Sequence, residues 1–339
     1  MQFQIPIKFP EYSQQIRYPD QIMLVGSCFT EHIGDQLKEL KFSVLQHPHG
    51  ILFDPFSVAK SLRSYLEPYT YLKTDLIHYN ELWQSWDHHS RFSDTEAERC
   101  LININQSQVR AHEMLKQTNW LVITLGSSFS YRLTDAALQP DHQWGSISGV
   151  ANCHRAPAHW FQKYLMSAAE TISALSECLI QLQQFNPQLK FIFTISPVRH
   201  IRDGVVENNR SKARLIEAVH TLVQEFPHCY YFPAYELVID VLRDYRFYDI
   251  DLAHPNYAAT RFVMDHFLEQ LVHPESRQLS QEILEIVTAR KHKPFQPHTS
   301  AHQRFLAANA EKVRTMMTRH PFLDLREELS YFEGSVSSE

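Results

Sequence analysis

Two short stretches, far apart in the chain, carry side chains suited to acyl-transfer chemistry. In the first, IMLVGSC (22–28), an apolar run ends at a Gly-Ser-Cys triplet and passes at once into a helical pattern with Phe29, Ile33, Leu37 and Leu40 on one face. A helix N-terminus presents unpaired N–H groups and the positive end of its dipole, and both favour a thiolate at Cys28. Gly26 allows a tight turn there, and Ser27 is suited to cap the helix. In the second, YDIDLAHP (248–255), Asp251 stands three residues before His254 and ahead of a further helix. In such a turn the carboxylate reaches one imidazole nitrogen and the other faces a nucleophile, so His254 becomes a base oriented by Asp251.

Taken singly, each stretch has a plainer explanation. A lone cysteine at a strand end is usually a small apolar core residue, and a histidine beside a turn proline is usually solvated. They gain weight together from the elements that must position them. Five apolar or β-branched runs at 22–26, 42–46, 120–126, 190–196 and 229–233 are nearly continuous, the pattern of strands covered on both faces in a parallel sheet. Helical patterns lie between them: Leu165, Ile172, Leu175, Leu179 and Leu182 share a face before Pro187, and 211–226 fits a helix with Ser211 as N-cap and Pro227 as its stop. The alternation predicts an α/β/α three-layer sandwich on a mostly parallel five-stranded sheet. The two stretches then close its first and last βα units, at the end of the sheet where ligands bind.

The sandwich is expected over residues 1–270, with an aromatic and polar insertion at about 62–112 that partly covers a site. Residues 134–160 read as a long loop, of a length that is often functional in compact domains. Residues 271–339 read as a helical extension, broken at 292–298, with a last helix near 300–318 and a disordered tail. A chain of 339 residues with 44% hydrophobic content buries a large core, and a net charge of −6 argues against a general nucleic-acid binder. No apolar run reaches the length of about 18 residues that spans a bilayer, and a cytoplasmic protein is expected. Five cysteines without a C-x-x-C pair suggest neither a disulfide framework nor a zinc site. Eight glycines include no phosphate-loop or dinucleotide fingerprint, so no cofactor is required.

Several further residues fall at the expected site. His47 and His49 flank Pro48 beside Gly50, where ligand contact and loop solvation are equal readings. Arg199 and His200 follow the fourth strand and suit a sugar, phosphate or carboxylate. Cys153 and His154 point apart, so one of them is expected to line the pocket. Trp83 and Trp86 are expected to anchor the insertion.

The ordered segments VGSCFTEHIG (25–34), HPHGILFDPFSV (47–58), TLGSSFSY (124–131), VANCHRAP (150–157), SPVRH (196–200), YFPAYELVIDVLRDYRFY (231–248) and DLAHPN (251–256) resemble the GSCFA family, and more distantly the SGNH (GDSL-type) hydrolases. The resemblance spans roughly residues 17–270. It implies the flavodoxin-like SGNH sheet, with Cys28 at the place of the nucleophilic serine, Ser27 where those enzymes have aspartate, and His254 and Asp251 as base and acid. It also implies oxyanion donors at the N–H of Cys28 and at Gly50. The third donor is an asparagine after the third strand in SGNH enzymes. Here Gly126 is followed by Ser127 and Ser128, leaving Asn152 or a serine hydroxyl to take its part. Either Cys28 or Ser27 is then the nucleophile, and the helix N-terminus favours Cys28.

The expected activity is that of an O-acyl or acetyl ester hydrolase, or of an acyltransferase with acetyl-coenzyme A as the natural donor, acting on a small molecule or carbohydrate. The rival is a non-catalytic module binding a glycan or acyl ligand, kept open by three departures from the SGNH pattern.

Overall fold

The five apolar runs pair side by side. In the computed structural model, which describes residues 4–67, 69–137 and 149–334, they form β1 (Gln21–Gly26), β2 (Ser43–Gln46), β3 (Trp120–Leu125), β4 (Lys190–Ile195) and β5 (Cys229–Tyr231). All neighbours are parallel and the spatial order is β2-β1-β3-β4-β5, a flavodoxin-like doubly wound sheet. The order reverses direction between β1 and β3, so the crevice expected of this topology opens beside the end of β1.

Alternate residues of each strand enter two separate cores. Ile22, Leu24, Trp120, Val122 and Ile192 face one side, and Met23, Val25, Leu121, Ile123 and Phe193 face the other. The first core is covered by α1 (Phe29–Glu39). The second is covered by α2 (Pro55–Ser64), α3 (Ala97–Gln117), α4 (Ala168–Phe185) and α5 (Gly204–Glu225). The chain then returns to the first side as α6 (Tyr257–Leu271) and a C-terminal set, α7 (Pro274–Lys291), α8 (Ser300–Arg319) and α9 (Arg326–Phe332). Local chemistry fixes several starts. Asp54 caps α2 by accepting from the N–H groups of Phe56 and Ser57 at 3.1 Å, with Pro55 in the first turn. Ser167 and Glu170 form a capping box on α4, and Asn256 caps α6.

Two elements depart from the sequence expectation. Helix α5 starts at Gly204, so Ser211 is no cap: it lies buried inside the helix and binds Ser127 and Ser128 of the loop after β3. Its first turns carry valines and asparagines, which favour other structures in isolation, and packing overrides that preference. Leu165 lies outside α4, closing a strand, Phe161–Leu165, that pairs antiparallel with Phe129–Leu133. The expected insertion at 62–112 holds the hairpin Ile77–Tyr79 with Leu82–Gln84 and most of α3, whose Ile104, Ala111 and Leu115 are buried. Trp86 is buried and packs on His154 and Phe161, which ties the segment after the hairpin to the neighbouring loop and strand.

The C-terminal helices continue the first core, through Leu279, Ile283 and Val313. Glu328, 2% exposed, joins Lys41 at 2.8 Å and Arg290 at 2.9 Å. Both cations pair with Oε1, which offsets the buried negative charge and ties α9 to the turn after α1, while Oε2 has no hydrogen-bond partner. Residues 138–148 of the expected loop and 335–339 of the expected tail lie outside the described residues. No helix among the described residues is long and apolar enough to cross a membrane.

The end of β1 depends on Gly26. Its φ of +123° lies outside the range of L side chains, and a Cβ there would run into the Thr124 carbonyl of β3. Replacing it with alanine is expected to lower stability by about 2–3 kcal/mol, measured by urea unfolding of Gly26→Ala beside the wild type.

Candidate active site

At the carboxyl ends of β1, β3 and β4 a cleft of about 660 Å³ is lined by Cys28, Phe53, Ser127, Asn152, Arg199, His200, Asp251 and His254, among others. Strand β1 ends at Gly26, and the N–H of Ser27 donates to Thr124 O at 3.0 Å. Cys28 follows as the N-cap of α1, with no side-chain capping bond, and its thiol is half-buried on the cleft wall. Ser27 is therefore not the cap. It is 1% exposed, its hydroxyl has no hydrogen-bond partner, and it does not line the cleft. Of the two candidate nucleophiles, the cleft holds Cys28.

The direction of the Cys28 titration differs from the sequence expectation. Burial pushes the thiol up and Glu31 adds to this, while the N–H groups of Phe29 and Cys28 and the charge of Lys212 pull it down. Removing water from the sulfur outweighs the helix N-terminus.

His254 sits in a tight turn. Asp251 Oδ1 accepts the N–H groups of Ala253 at 2.9 Å and His254 at 3.0 Å, and Oδ2 lies 2.5 Å from His254 Nδ1. The two N–H groups, then the imidazole, hold the Asp251 carboxyl down at about 2. The turn is braced by Asn256, whose Nδ2 donates to Arg246 O at 2.7 Å, and by the N–H of Asp249, which donates to His254 O at 2.8 Å. With Nδ1 engaged by the carboxylate, Nε2 is the nitrogen left to act in the cleft.

The other expected residues divide. Arg199 and His200 line the cleft, and the N–H of Arg199 donates to Ala253 O at 3.1 Å, which joins the exit of β4 to the Asp251–His254 turn. Burial pulls His200 down to about 4, with Lys212 adding, so the ring is neutral at pH 7. Asn152 lines the cleft, and its Oδ1 accepts the His154 N–H at 2.8 Å, which leaves the amide NH2 as its donor end. Cys153 also lines it, whereas His154 is buried behind, bonded to Ser85 O at 2.7 Å.

Gly50, Gly126 and His49 are placed otherwise. Gly50 turns at φ +85°, its N–H donates to His47 O at 2.8 Å, and it is absent from the cleft wall. The N–H groups of Gly126 and Ser127 both donate to Phe53 O, at 2.9 and 3.0 Å. None of these three N–H groups is open to an oxyanion. His49 is buried away from the cleft, its Nε2 2.8 Å from Gln108 Oε1 and its ring 4.0 Å from that of His88.

Sequence reading missed Phe53, Asp54 and Lys212. Phe53 lines the cleft, packs edge-on against His200 and fixes the loop after β3 through its carbonyl. Asp54 lines the cleft as the cap of α2. Lys212 is 1% exposed, and its Nζ donates to Gly126 O and Ser196 O at 2.6 Å each. The available signal was its place three residues before Leu215 on the apolar stripe of α5. Among the described residues no three His, Cys, Asp or Glu side chains converge as a metal site.

The sequence matches the profile of the GSCFA family over residues 21–267, and that of the C-terminal domain of GSCFA domain proteins over 283–337. No curated protein matches it. Among solved structures the chain is similar to a carbohydrate esterase family 3 protein from Talaromyces cellulolyticus, with 9% identity and a TM-score of 0.35 over 79% of this chain and 98% of that one. It is also similar to an acetyl xylan esterase from the rumen bacterium Butyrivibrio proteoclasticus, with 10% identity and a TM-score of 0.34 over 77% and 65% of the two chains.

Because its pKa is depressed, Asp251 should stabilise the folded turn at any pH above its ordinary value and lose that effect as pH falls through about 2. Carboxyl carbon NMR of the wild type should show its midpoint at about 2. In His254→Ala the midpoint should rise without reaching the ordinary aspartate value, because the two N–H bonds remain.

Proposed function

The chain belongs to the GSCFA family, and from that premise we propose that it is an esterase-type acyl-transfer enzyme in which Cys28 is the nucleophile, His254 the general base and Asp251 its orienting acid. The observation supporting this reading is that a thiol at the end of β1 and an imidazole already held by a carboxylate line the same cleft. A thiol raised by burial is largely protonated at pH 7, so it needs a base as a serine hydroxyl does.

In the first half-reaction His254 Nε2 takes the thiol proton as Sγ attacks the ester carbonyl. The S–C bond forms and the carbonyl electron pair moves onto oxygen, where the Cys28 N–H and the Asn152 amide are the available donors. The carbonyl reforms, the C–O bond breaks, and the leaving alkoxide takes the proton from His254. A thioester remains on Cys28. In the second half water gives its proton to Nε2 and attacks the thioester, and the departing sulfur recovers that proton. A sugar hydroxyl in place of water makes the same steps an acyl transfer, with acetyl-coenzyme A as an equivalent donor. Small acyl esters, carbohydrate esters among them, suit the size of the cleft and its aromatic and cationic lining by Phe53, Arg199 and Arg202. A cytoplasmic setting agrees with the free thiols of all five cysteines.

One observation favours the alternative of a non-catalytic glycan- or acyl-binding module: the N–H groups of Gly50, Gly126 and Ser127 are already hydrogen-bonded. Hydrolysis of p-nitrophenyl acetate and intact mass after exposure to it or to acetyl-coenzyme A separate the two. Acetylation of Cys28 should be detected and should vanish in Cys28→Ala. Loss of the base in His254→Ala should slow turnover by about 10²–10⁴-fold, and loss of one oxyanion donor in Asn152→Ala by about 10²–10³-fold. A wild-type mass unchanged by every donor would leave the binding module standing.

A further inference from the structure

At the edge of the sheet opposite β5, a second cavity of about 410 Å³ shares no lining residue with the active-site cleft. Its walls come from the end of β2 and the turn after it, the single turn Ser90–Phe92, and the middle of α3. The lining includes two arginines, Arg91 and Arg110, and no carboxylate, a local reversal of sign in a chain of net charge −6. Arg91 is fixed from behind: Nη2 donates to His47 O, and Nη1 lies 3.5 Å from Glu31 Oε1. Arg110 is exposed on α3 and makes no ion pair among the described residues. Around them stand Lys38, Glu31 and Asp35 of α1; Glu31 is engaged by Arg91, and Asp35 Oδ1 accepts Gln46 Nε2 at 3.2 Å. Like charges gathered at a concavity repel, and an anion bound between them offsets that cost. His47, for which ligand contact and loop solvation were equal readings, lines the same cavity. It is 1% exposed, and neither ring nitrogen has a hydrogen-bond partner. An unpartnered buried imidazole bears a desolvation cost that a ligand oxygen would relieve.

We propose that this cavity is a second binding site, for a phosphorylated small molecule of sugar-phosphate size, with the phosphate between Arg91 and Arg110 and the hydroxyls on Asn103 and Gln106. Guanidinium forks pair bidentately with oxyanions. Two forks arriving from different segments suit the several oxygens of a phosphate better than the single plane of a carboxylate. A volume of about 410 Å³ is that of a small-molecule site and exceeds what a bare phosphate fills, so the ligand has an organic body. The amides of Asn103 and Gln106 and the ring of Phe92 line the space left for it. Because this site lies apart from the cleft, it stands whether or not Cys28 is a nucleophile.

Titration calorimetry of the full-length protein at low salt tests it, with glucose 6-phosphate, glucose 1-phosphate, inorganic phosphate, glucuronate and glucose as probes. At least one of the two sugar phosphates should bind, and more tightly than inorganic phosphate or glucuronate, while glucose should give no heat. In Arg110→Ala, which removes an exposed side chain, the Kd of that sugar phosphate should rise by about tenfold or more. Arg91→Lys keeps the charge but loses the fork, and should weaken binding as well. Arg199→Ala, on the wall of the cleft, should bind as the wild type does. Should Arg91→Lys fail to fold, the contrast between Arg110→Ala and Arg199→Ala decides. No heat with either sugar phosphate overturns the proposal, as does a Kd unaltered in folded Arg110→Ala. A Kd raised in Arg199→Ala alone would move the anion to the cleft and overturn it too. Glucuronate binding more tightly than both sugar phosphates would reject phosphate as the recognised group, and inorganic phosphate binding as tightly as they do would reject the organic body.

Discussion

Because Gly26 has no side chain, β1 turns at φ +123° directly against the Thr124 carbonyl of β3, and that close approach decides what the cleft contains. The turn sends Ser27 inward beneath the loop after β3 and brings Cys28 to the cleft wall as the N-cap of α1. The Gly26 carbonyl accepts the Leu52 N–H at 2.8 Å, which runs the segment after β2 alongside the same corner. Phe53 then clamps Gly126 and Ser127 through one carbonyl. A larger residue at position 26 would push apart the two strands between which the crevice opens, so the positions of the thiol, the aromatic wall and the loop after β3 are consequences of one backbone contact.

The floor and rim of the cleft obey opposite electrostatic rules. On the floor, burial acts on each group toward its neutral form: the Cys28 thiol is raised, while His200 and Lys212 are lowered to about 4 and about 7. At the rim, Asp251 and His254 remain open to solvent, and the carboxylate keeps its charge because two N–H groups point at it. A reaction that moves one proton between sulfur, imidazole and leaving oxygen is suited to this division. The carboxylate and the imidazole it orients stay where water reaches them, and the atom proposed to attack stays where little water competes for the acyl group.

Much of this arrangement was legible in the sequence, because strands buried on both faces are nearly continuous apolar runs and cannot hide. All five were placed within two residues of their observed ends. Cys28 and the Asp251–His254 pair were found for a related reason, since a strand end followed by a helix and a D-x-x-H turn are local patterns. What escaped depends on contacts between remote segments. His49 sits beside Gly50 in sequence, but α3 and the segment after the hairpin enclose it through Gln108 and His88. The glycine N–H groups looked available for an oxyanion until the partners of each were known. Lys212 is one lysine on a helix face, and only the convergence of β3 and β4 above it gives Nζ its two carbonyl partners.

The C-terminal helices provide none of the side chains lining the cleft, yet they share a core with α1, whose head reaches it. Cys28 is the N-cap of that helix, and its inner face, Phe29, Ile33 and Leu37, packs in the core that contains Leu279, Ile283 and Val313. Its far end is fixed by Glu328, buried between Lys41 and Arg290. A helix held at both ends and along one face has little freedom to slide, and any slide of α1 would carry the sulfur along the cleft wall. For the nucleophile proposed at Cys28, a misplacement of about 1 Å is expected to lower the rate by about 10²-fold, although the scaffold responsible touches no substrate. In this chain the C-terminal segment packs in the same core as α1, whose head places Cys28 on the cleft wall.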